Sequence, residues 1–413
     1  MGRPLSYVLK RELRRLGRQI TGSPEFITSY LLARPYYDLV LARKKKEFDG
    51  KVAETPRIAI YLIFPSSGVL ASHLWALDYL QNAGYAPLVV SNVPLSDADR
   101  AIVLDRCWRY IERENFGYDF GGYRDGVLSI AQKLPKLERL VLLNDSNWFP
   151  LPGTGDWLAQ MEALGTDLGA AVSNYCVTKV PADRYNKMRW DYSVNRRRFH
   201  YCSFALGYAN TITSHPAFLK FWQRFRLSNV KKRTVSRGEI GLTQWVLKHG
   251  FSHAQTCDIA HLDTDLATLP AVRLEYLMRN LIIPEARFVR RVWAELIGQL
   301  DVVGIDACRK DVELFILTAV ATQGASYVLP AFTMREKHYP FLKKTPIWQE
   351  EKSSDITLDL IRGIDAPIAV QMLREAQAIR ANRAPDFPLN AGGGSNGGTA
   401  VESVGQSSIS TPR

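Results

Sequence analysis

Two short polar clusters have the residue types to do chemistry together. Asn144-Asp145-Ser146 follows the apolar run Leu140-Val141-Leu142-Leu143, so a carboxylate flanked by an amide and a hydroxyl is expected at the tip of a buried strand. Ligands of open α/β sheets bind beyond the carboxyl ends of strands, where Asp145 would meet a divalent metal or a phosphate-bearing ligand. The second cluster is Asn115-x-Gly117-x-Asp119, continued by Gly121 and Gly122, after a short apolar segment near Cys107–Ile111. Its glycines allow positive φ or close backbone approach to a ligand. Each cluster also has an ordinary reading. Asn, Asp and Gly build turns, and Asn-Asp-Ser caps a following segment. Their pairing, each after a strand with one helix between, favours a single shared site.

Three other stretches carry possible site residues. Glu239 stands in RGEIGLTQ at an expected helix start, where a carboxylate either complements the helix dipole or acts as a base aimed into the site. His249, His253, His261 and Asp263 lie close in sequence, and His261 is the candidate metal ligand among them, against the commoner structural role of a lone histidine. Residues 181–198 interleave Arg184, Lys187, Arg189 and Arg196–Arg198 with Tyr185, Trp190 and Tyr192. That mixture suits a loop over phosphates and sugars, or an ordinary solvated loop.

The elements that must hold these residues read as α/β. Ile58–Phe64 is a fully apolar strand, 69–83 a helix ended by Gly84, and Pro87–Ser91 the next strand. A third strand is expected near Cys107–Ile111, a helix over 123–133, a fourth strand at Leu140–Leu143, a helix over 157–164 and a strand over 168–173. Phe199–Tyr208 reads as one strand and Pro216–Phe225 as an aromatic helix. Residues 270–350 read as mainly helical, with one or two more helices over 355–383.

The ends differ from the middle. Residues 1–52 hold twelve Lys or Arg against five Asp or Glu, +7 of the chain's +12. Over 3–20, Leu5, Leu9, Leu13, Leu16 and Ile20 form one stripe among basic residues. Such a helix lies on an anionic membrane surface or packs on the protein with a solvated face. From Pro385 the composition (AGGGSNGGTA) cannot bury a core and is expected to be disordered. Five scattered cysteines with no C-x-x-C argue against a zinc module and a disulfide framework, and for a reducing compartment. No apolar run approaches the ~20 residues of a membrane span, and no secretory signal is evident. A cytoplasmic protein is expected. The positive charge is not attached to a nucleic-acid reader motif, so no nucleic acid is expected as a partner.

In this order the matches resemble the rhamnan synthesis protein F family of bacterial polysaccharide and lipopolysaccharide glycosyltransferases, over about residues 57–258. The resemblance rests on the opening strand–helix–strand unit ending in Ser91-Asn92, on Arg113-x-Asn115-x-Gly117-x-Asp119, and on Asn144-Asp145-Ser146 with Pro150. It continues through Ser203–Tyr208, the helix PAFLKFW, and Glu239-Ile240-Gly241-Leu242-Thr243. It implies a GT-A-type, Rossmann-like nucleotide-sugar domain over 56–265. Around that domain stand a basic amphipathic extension (1–52), a helical C-terminal region (266–383) and a disordered tail (384–413).

The resemblance further implies that Asp145 holds Mg²⁺ or Mn²⁺ against the donor diphosphate. Asn115, Gly117, Asp119, Asn144 and Ser146 would line the donor pocket, and Glu239 would be the general base of an inverting transfer. Only one acid stands where such enzymes usually carry Asp-x-Asp. The implied partners are a nucleotide-sugar donor, a lipid-linked or growing glycan acceptor, and the anionic inner-membrane surface through residues 1–50. The competing readings are a catalytically degenerate scaffold at the membrane and a metal-dependent phosphotransferase or hydrolase.

Overall fold

A computed structural model describes residues 33–283 and 287–381. The basic helix expected over 3–20 and the tail from 384 lie outside the described residues.

The eight-stranded central sheet has the order β1-β4-β3-β2-β5-β10-β7-β11. These strands are β1 Lys46–Asp49, β2 Arg57–Ile63, β3 Ala86–Ser91, β4 Arg109–Glu112, β5 Arg139–Asn144, β7 Leu168–Ala170, β10 Ala205–Ala209 and β11 His253–Gln255. Six strands run one way, while β1 and β10 run against their neighbours. The central strands β2, β3 and β5 are almost wholly buried, which is why they read as continuous apolar runs. From β2 the chain builds outward through β3 and β4, then returns to place β5 on the other side of β2. That reversal is a topological switch point, and the cleft at the carboxyl ends of β2 and β5 is where such a sheet binds ligands.

Several boundaries differ from the sequence expectation. Lys46–Asp49 pairs with β4 as the sheet's edge and Tyr37 is fully buried, so the fold takes in residues ahead of Pro56. The helix expected over 123–133 is α2, Tyr118–Ser129, preceded by α1, Ala71–Asn82. α2 starts five residues early because Gly117, at φ +83°, turns the chain directly into it and so carries Asp119 into its first turn. Phe199–Tyr208 is two strands, β9 (His200–Tyr201) and β10. β9 pairs with Ser173–Asn174 apart from the central sheet, and between the two strands Ser203 gives its N–H to Glu239 (3.4 Å).

The segment 181–198 does not lie loose. Residues 182–187 pack on the buried helix α4 (Ile305–Gln323), which follows α3 (Gly241–Lys248), and Tyr185 meets Phe315 edge-on. Trp190 donates its indole N–H to the Ile259 carbonyl.

The C-terminal region is helical, as expected, but it also returns to the sheet's upper end. β12 (Leu342–Lys343) pairs antiparallel with β6 (Asn147–Trp148), immediately after β5. Trp148 is fully buried there with Leu342, Ile347, Leu358, Ile361 and Met372. Burying each such side chain contributes roughly 1.5–3 kcal/mol. The last described helix, α5 (Pro367–Ala381), reaches α1 through Glu375, which accepts the Ser72 backbone N–H (2.9 Å) and the Trp148 indole N–H (3.0 Å). Among the described residues no helix is long and apolar enough to cross a membrane, and all five cysteines are unpaired.

Candidate active site

Asn144 ends β5 opposite Leu62 of β2, and its N–H goes to the Phe204 carbonyl (3.1 Å). The next N–H, that of Asp145, goes to the Leu62 carbonyl (3.1 Å). The backbone is therefore fixed on both flanks, and the Asp145 side chain stands at the switch point. Its Oδ2 accepts the Phe64 N–H at 2.7 Å and lies 3.1 Å from His73 Nε2. His73 is buried in the first turn of α1. Its Nδ1 accepts the Leu70 N–H (3.2 Å), which leaves Nε2 to carry the proton and donate to Asp145. Burial alone would raise the Asp145 pKa. The His73 hydrogen bond, the Lys344 ammonium and the Phe64 N–H outweigh it and hold the carboxyl below its ordinary value.

The two clusters meet. Asn144 donates its amide N–H to Asp119 Oδ2 at 3.0 Å. The Asn144 Oδ1 accepts both the backbone N–H (3.1 Å) and the hydroxyl (2.6 Å) of Ser146. Burial, reinforced by the charges of Glu239 and Asp145, pushes the Asp119 carboxyl up to about 7, with Lys231 and Lys343 pulling the other way. Glu239 thus belongs to the same electrostatic group. It sits in a one-turn π-helical stretch, Ser236–Ile240, that leads into α3. Its Oε1 accepts the Ser203 hydroxyl (2.7 Å), and its Oε2 lies 3.5 Å from His200 Nε2.

Other expected residues serve differently. Gly117 is the positive-φ residue before α2, and its N–H goes to Asn229 Oδ1 (2.7 Å), which is turn chemistry. Asn115 is exposed beside it. His261 is exposed immediately before the helix Leu262–Thr268. His253 is occupied by the Tyr201 hydroxyl (2.6 Å).

The donor atoms test the metal expectation. Among the described residues no three His, Cys, Asp or Glu side chains gather as a metal-holding group. One Asp145 oxygen is committed to two donors, and the Asn144 oxygen is committed to Ser146. Asn144 turns its N–H₂, not its oxygen, toward Asp119. The residues present do not fit a preassembled divalent site.

Residues 88–287, just under half of the chain, match the family model of rhamnan synthesis protein F. Over that stretch the chain is similar to the rhamnan synthesis protein F family. A relative from Sinorhizobium fredii (strain NBRC 101917 / NGR234), the uncharacterized protein y4gN, is 29% identical over 241 residues. The match covers 58% of this chain and 58% of y4gN, so the chain spans little more than half of that relative's length. Among solved structures, core-mannan synthase A (CmsA/Ktr4) from Aspergillus fumigatus, in its Mn/GDP form, is similar at 11% identity, 47% of this chain, 72% of its own and a TM-score of 0.26. The mannosyltransferase Ktr4p from S. cerevisiae stands at 11% identity, 49% of this chain, 69% of its own and a TM-score of 0.23. At those scores the likeness carries no argument about this chain.

The rhamnan synthesis stretch supplies Asp119, Asn144, Asp145, Ser146 and Glu239. Four neighbours come from outside it: His73 before, and Lys343, Lys344 and Glu375 after. Sequence reasoning missed all four. His73 had a weak signal, the fifth residue of an expected helix. The lysines and Glu375 had none, because only the return of the C-terminal region to β6 brings them near Asp145.

Proposed function

We propose that this protein is an inverting glycosyltransferase of GT-A type. It would move rhamnose or another hexose from a nucleotide-sugar donor to a lipid-linked or growing cell-surface polysaccharide or lipopolysaccharide. The observation that carries the reading is the bond from Asn144 to Asp119. It joins two acidic clusters at the switch point of the sheet, within the electrostatic reach of Glu239. The rhamnan synthesis match over 88–287 supports the substrate class.

In the proposed reaction the acceptor hydroxyl oxygen forms a bond to the anomeric carbon. The bond from that carbon to the diphosphate oxygen breaks, and the leaving diphosphate keeps the electron pair. Glu239 takes the acceptor proton, for which it must come within about 2.6–3.2 Å of the hydroxyl. Ser203 fixes one oxygen of Glu239, which orients the other. Asp119, titrating near neutrality, accepts from or donates to a donor-sugar hydroxyl. Asp145, held as a carboxylate, stabilises developing positive charge at the sugar.

The protein is proposed to work at the cytoplasmic face of an anionic membrane, held there by its basic N-terminal residues. Tyr37 and Lys46–Asp49 belong to the fold, so a clean deletion ends at residue 32. The deletion should release the protein from anionic vesicles in a flotation assay, and unchanged binding would reject the attachment. The main test is melting of the full chain with UDP, dTDP, GDP and CMP. A hundredfold excess of ligand over Kd adds about 2.7 kcal/mol, an easily read shift. A shift with one nucleotide supports the donor class, and no shift with any rejects the reading.

A further inference from the structure

Lys343 occupies an unusual position. β12 lays Lys343 opposite Asn147 and carries the Lys344 N–H to the Ser146 carbonyl (3.1 Å), so this strand is tied along Ser146–Trp148. Successive residues of a strand face opposite ways, and the two lysines divide accordingly. Lys344 turns to Trp148 and to the Ser72 hydroxyl (3.3 Å), where the charges of Asp145 and Glu375 act on it. Burial lowers its pKa, and those two carboxylates oppose the fall. Lys343 turns the other way, with its ammonium 4.5 Å from the centre of the Phe204 ring. Phe204 is the residue whose carbonyl holds the Asn144 N–H. Lys343 is half-buried, forms no ion pair with a carboxylate among the described residues, and acts on the Asp119 carboxyl. Lys231 adds to the same field from the start of the short helix Lys231–Val235, just after Asn229, which ties to Gly117.

A half-buried cation held on an aromatic face, without an ion pair among the described residues and close enough to act on Asp119, is placed to meet a ligand anion. The donor atoms around it do not fit a divalent ion, so the charge that a leaving diphosphate needs must come from side chains. We propose that Lys343 binds the donor's diphosphate directly, in place of a divalent metal, and that the C-terminal region is therefore part of the active site. The proposal rests on the transferase reading above. Lysine serves phosphate as a compact point charge, and the Phe204 ring fixes its place without neutralising it.

The test is titration of the full chain with UDP, dTDP and GDP, each in EDTA and in Mn²⁺, using the wild type, Lys343→Gln and Lys343→Arg. The parent nucleosides are the control for base and ribose contacts. The expected result is diphosphate binding in EDTA that weakens at least about tenfold in Lys343→Gln and stays within about threefold in Lys343→Arg. Nucleoside binding is expected to be unchanged in all three. Lys343→Arg keeps the charge and the aromatic contact, so it also separates loss of binding from loss of fold. Binding that appears only with Mn²⁺ overturns this inference and leaves the transferase reading standing, as does equal binding by Lys343→Gln in EDTA. Absence of diphosphate binding under every condition overturns both.

Discussion

Two groups of charged residues lie at the carboxyl end of this sheet, and they are built in opposite ways. In the first, Arg113 is fully buried after β4. Its Nε donates to Asp125 (2.7 Å) and to the Tyr37 hydroxyl (3.0 Å), and its remaining nitrogens go to Asn92 and the Phe116 carbonyl. Tyr37 in turn donates to Asp125. The guanidinium's donors are spoken for, and a second guanidinium, Arg124, lies 4.0 Å from the other Asp125 oxygen. The second group, Asp119, Asp145, Glu239 and Lys343, is partly exposed. It sets carboxylates against one another and leaves a lysine with only a ring. A closed, balanced network holds a turn in place, and Arg113 positions Phe116 and Gly117 for α2. An open, unbalanced one is poised for a ligand that completes it.

The sharpest way to break the contrast is Asp145→Asn. Turnover in a sugar-transfer assay should fall on the order of 10²–10³-fold with the melting transition retained. Near-normal turnover would remove Asp145 from the chemistry. The balanced network should show the reverse. Arg113→Met removes the nearer cation from buried Asp125, leaving Arg124 at 4.0 Å and the Tyr37 hydroxyl, and should cost about 3 kcal/mol in denaturant unfolding. A loss under 1 kcal/mol would mean that the network is not structural.

Asp119 sharpens the comparison through pH. Its folded pKa of about 7 lies above the ordinary 3.8, so the folded chain binds the extra proton more tightly than the unfolded one does. Its contribution to stability is complete below about 4 and is lost as pH rises to about 7. Asp119→Asn should therefore flatten stability between pH 4 and 7 and raise it at pH 8, on the order of 2 kcal/mol. An unchanged pH profile would deny the raised pKa. Gly117→Ala is the smallest effect, about 1–2 kcal/mol. It combines strain at φ +83° with a Cβ placed 2.8 Å from Leu227 Cδ2. A neutral outcome would show that the turn relaxes.

Much of the second group's surroundings was legible from local pattern. β2 and β5 announce themselves because strands buried on both faces are apolar throughout, and Asp145 is readable as the polar tip of one of them. The early start of α2 was not legible. Apolar periodicity points to the middle of a helix, whereas its start is decided by one glycine's φ. The basic and aromatic segment 181–198 read equally well as an active-site loop or as solvated surface. It is instead largely tied down against α4, a packing choice that composition does not record.

The sequence alone determined the order of the α/β elements, the strand tips that carry Asn144-Asp145-Ser146, and the turn before Asp119. Each follows from hydrophobic period and turn chemistry within a dozen residues. Only the tertiary structure decided that Asp119 meets Asn144, that Glu239 shares their field, that His73 holds Asp145, and that Lys343 stands beside them. Those are contacts across as many as about two hundred residues. They are set by sheet order and by the docking of β12 on β6, where packing rather than local propensity chooses the neighbour.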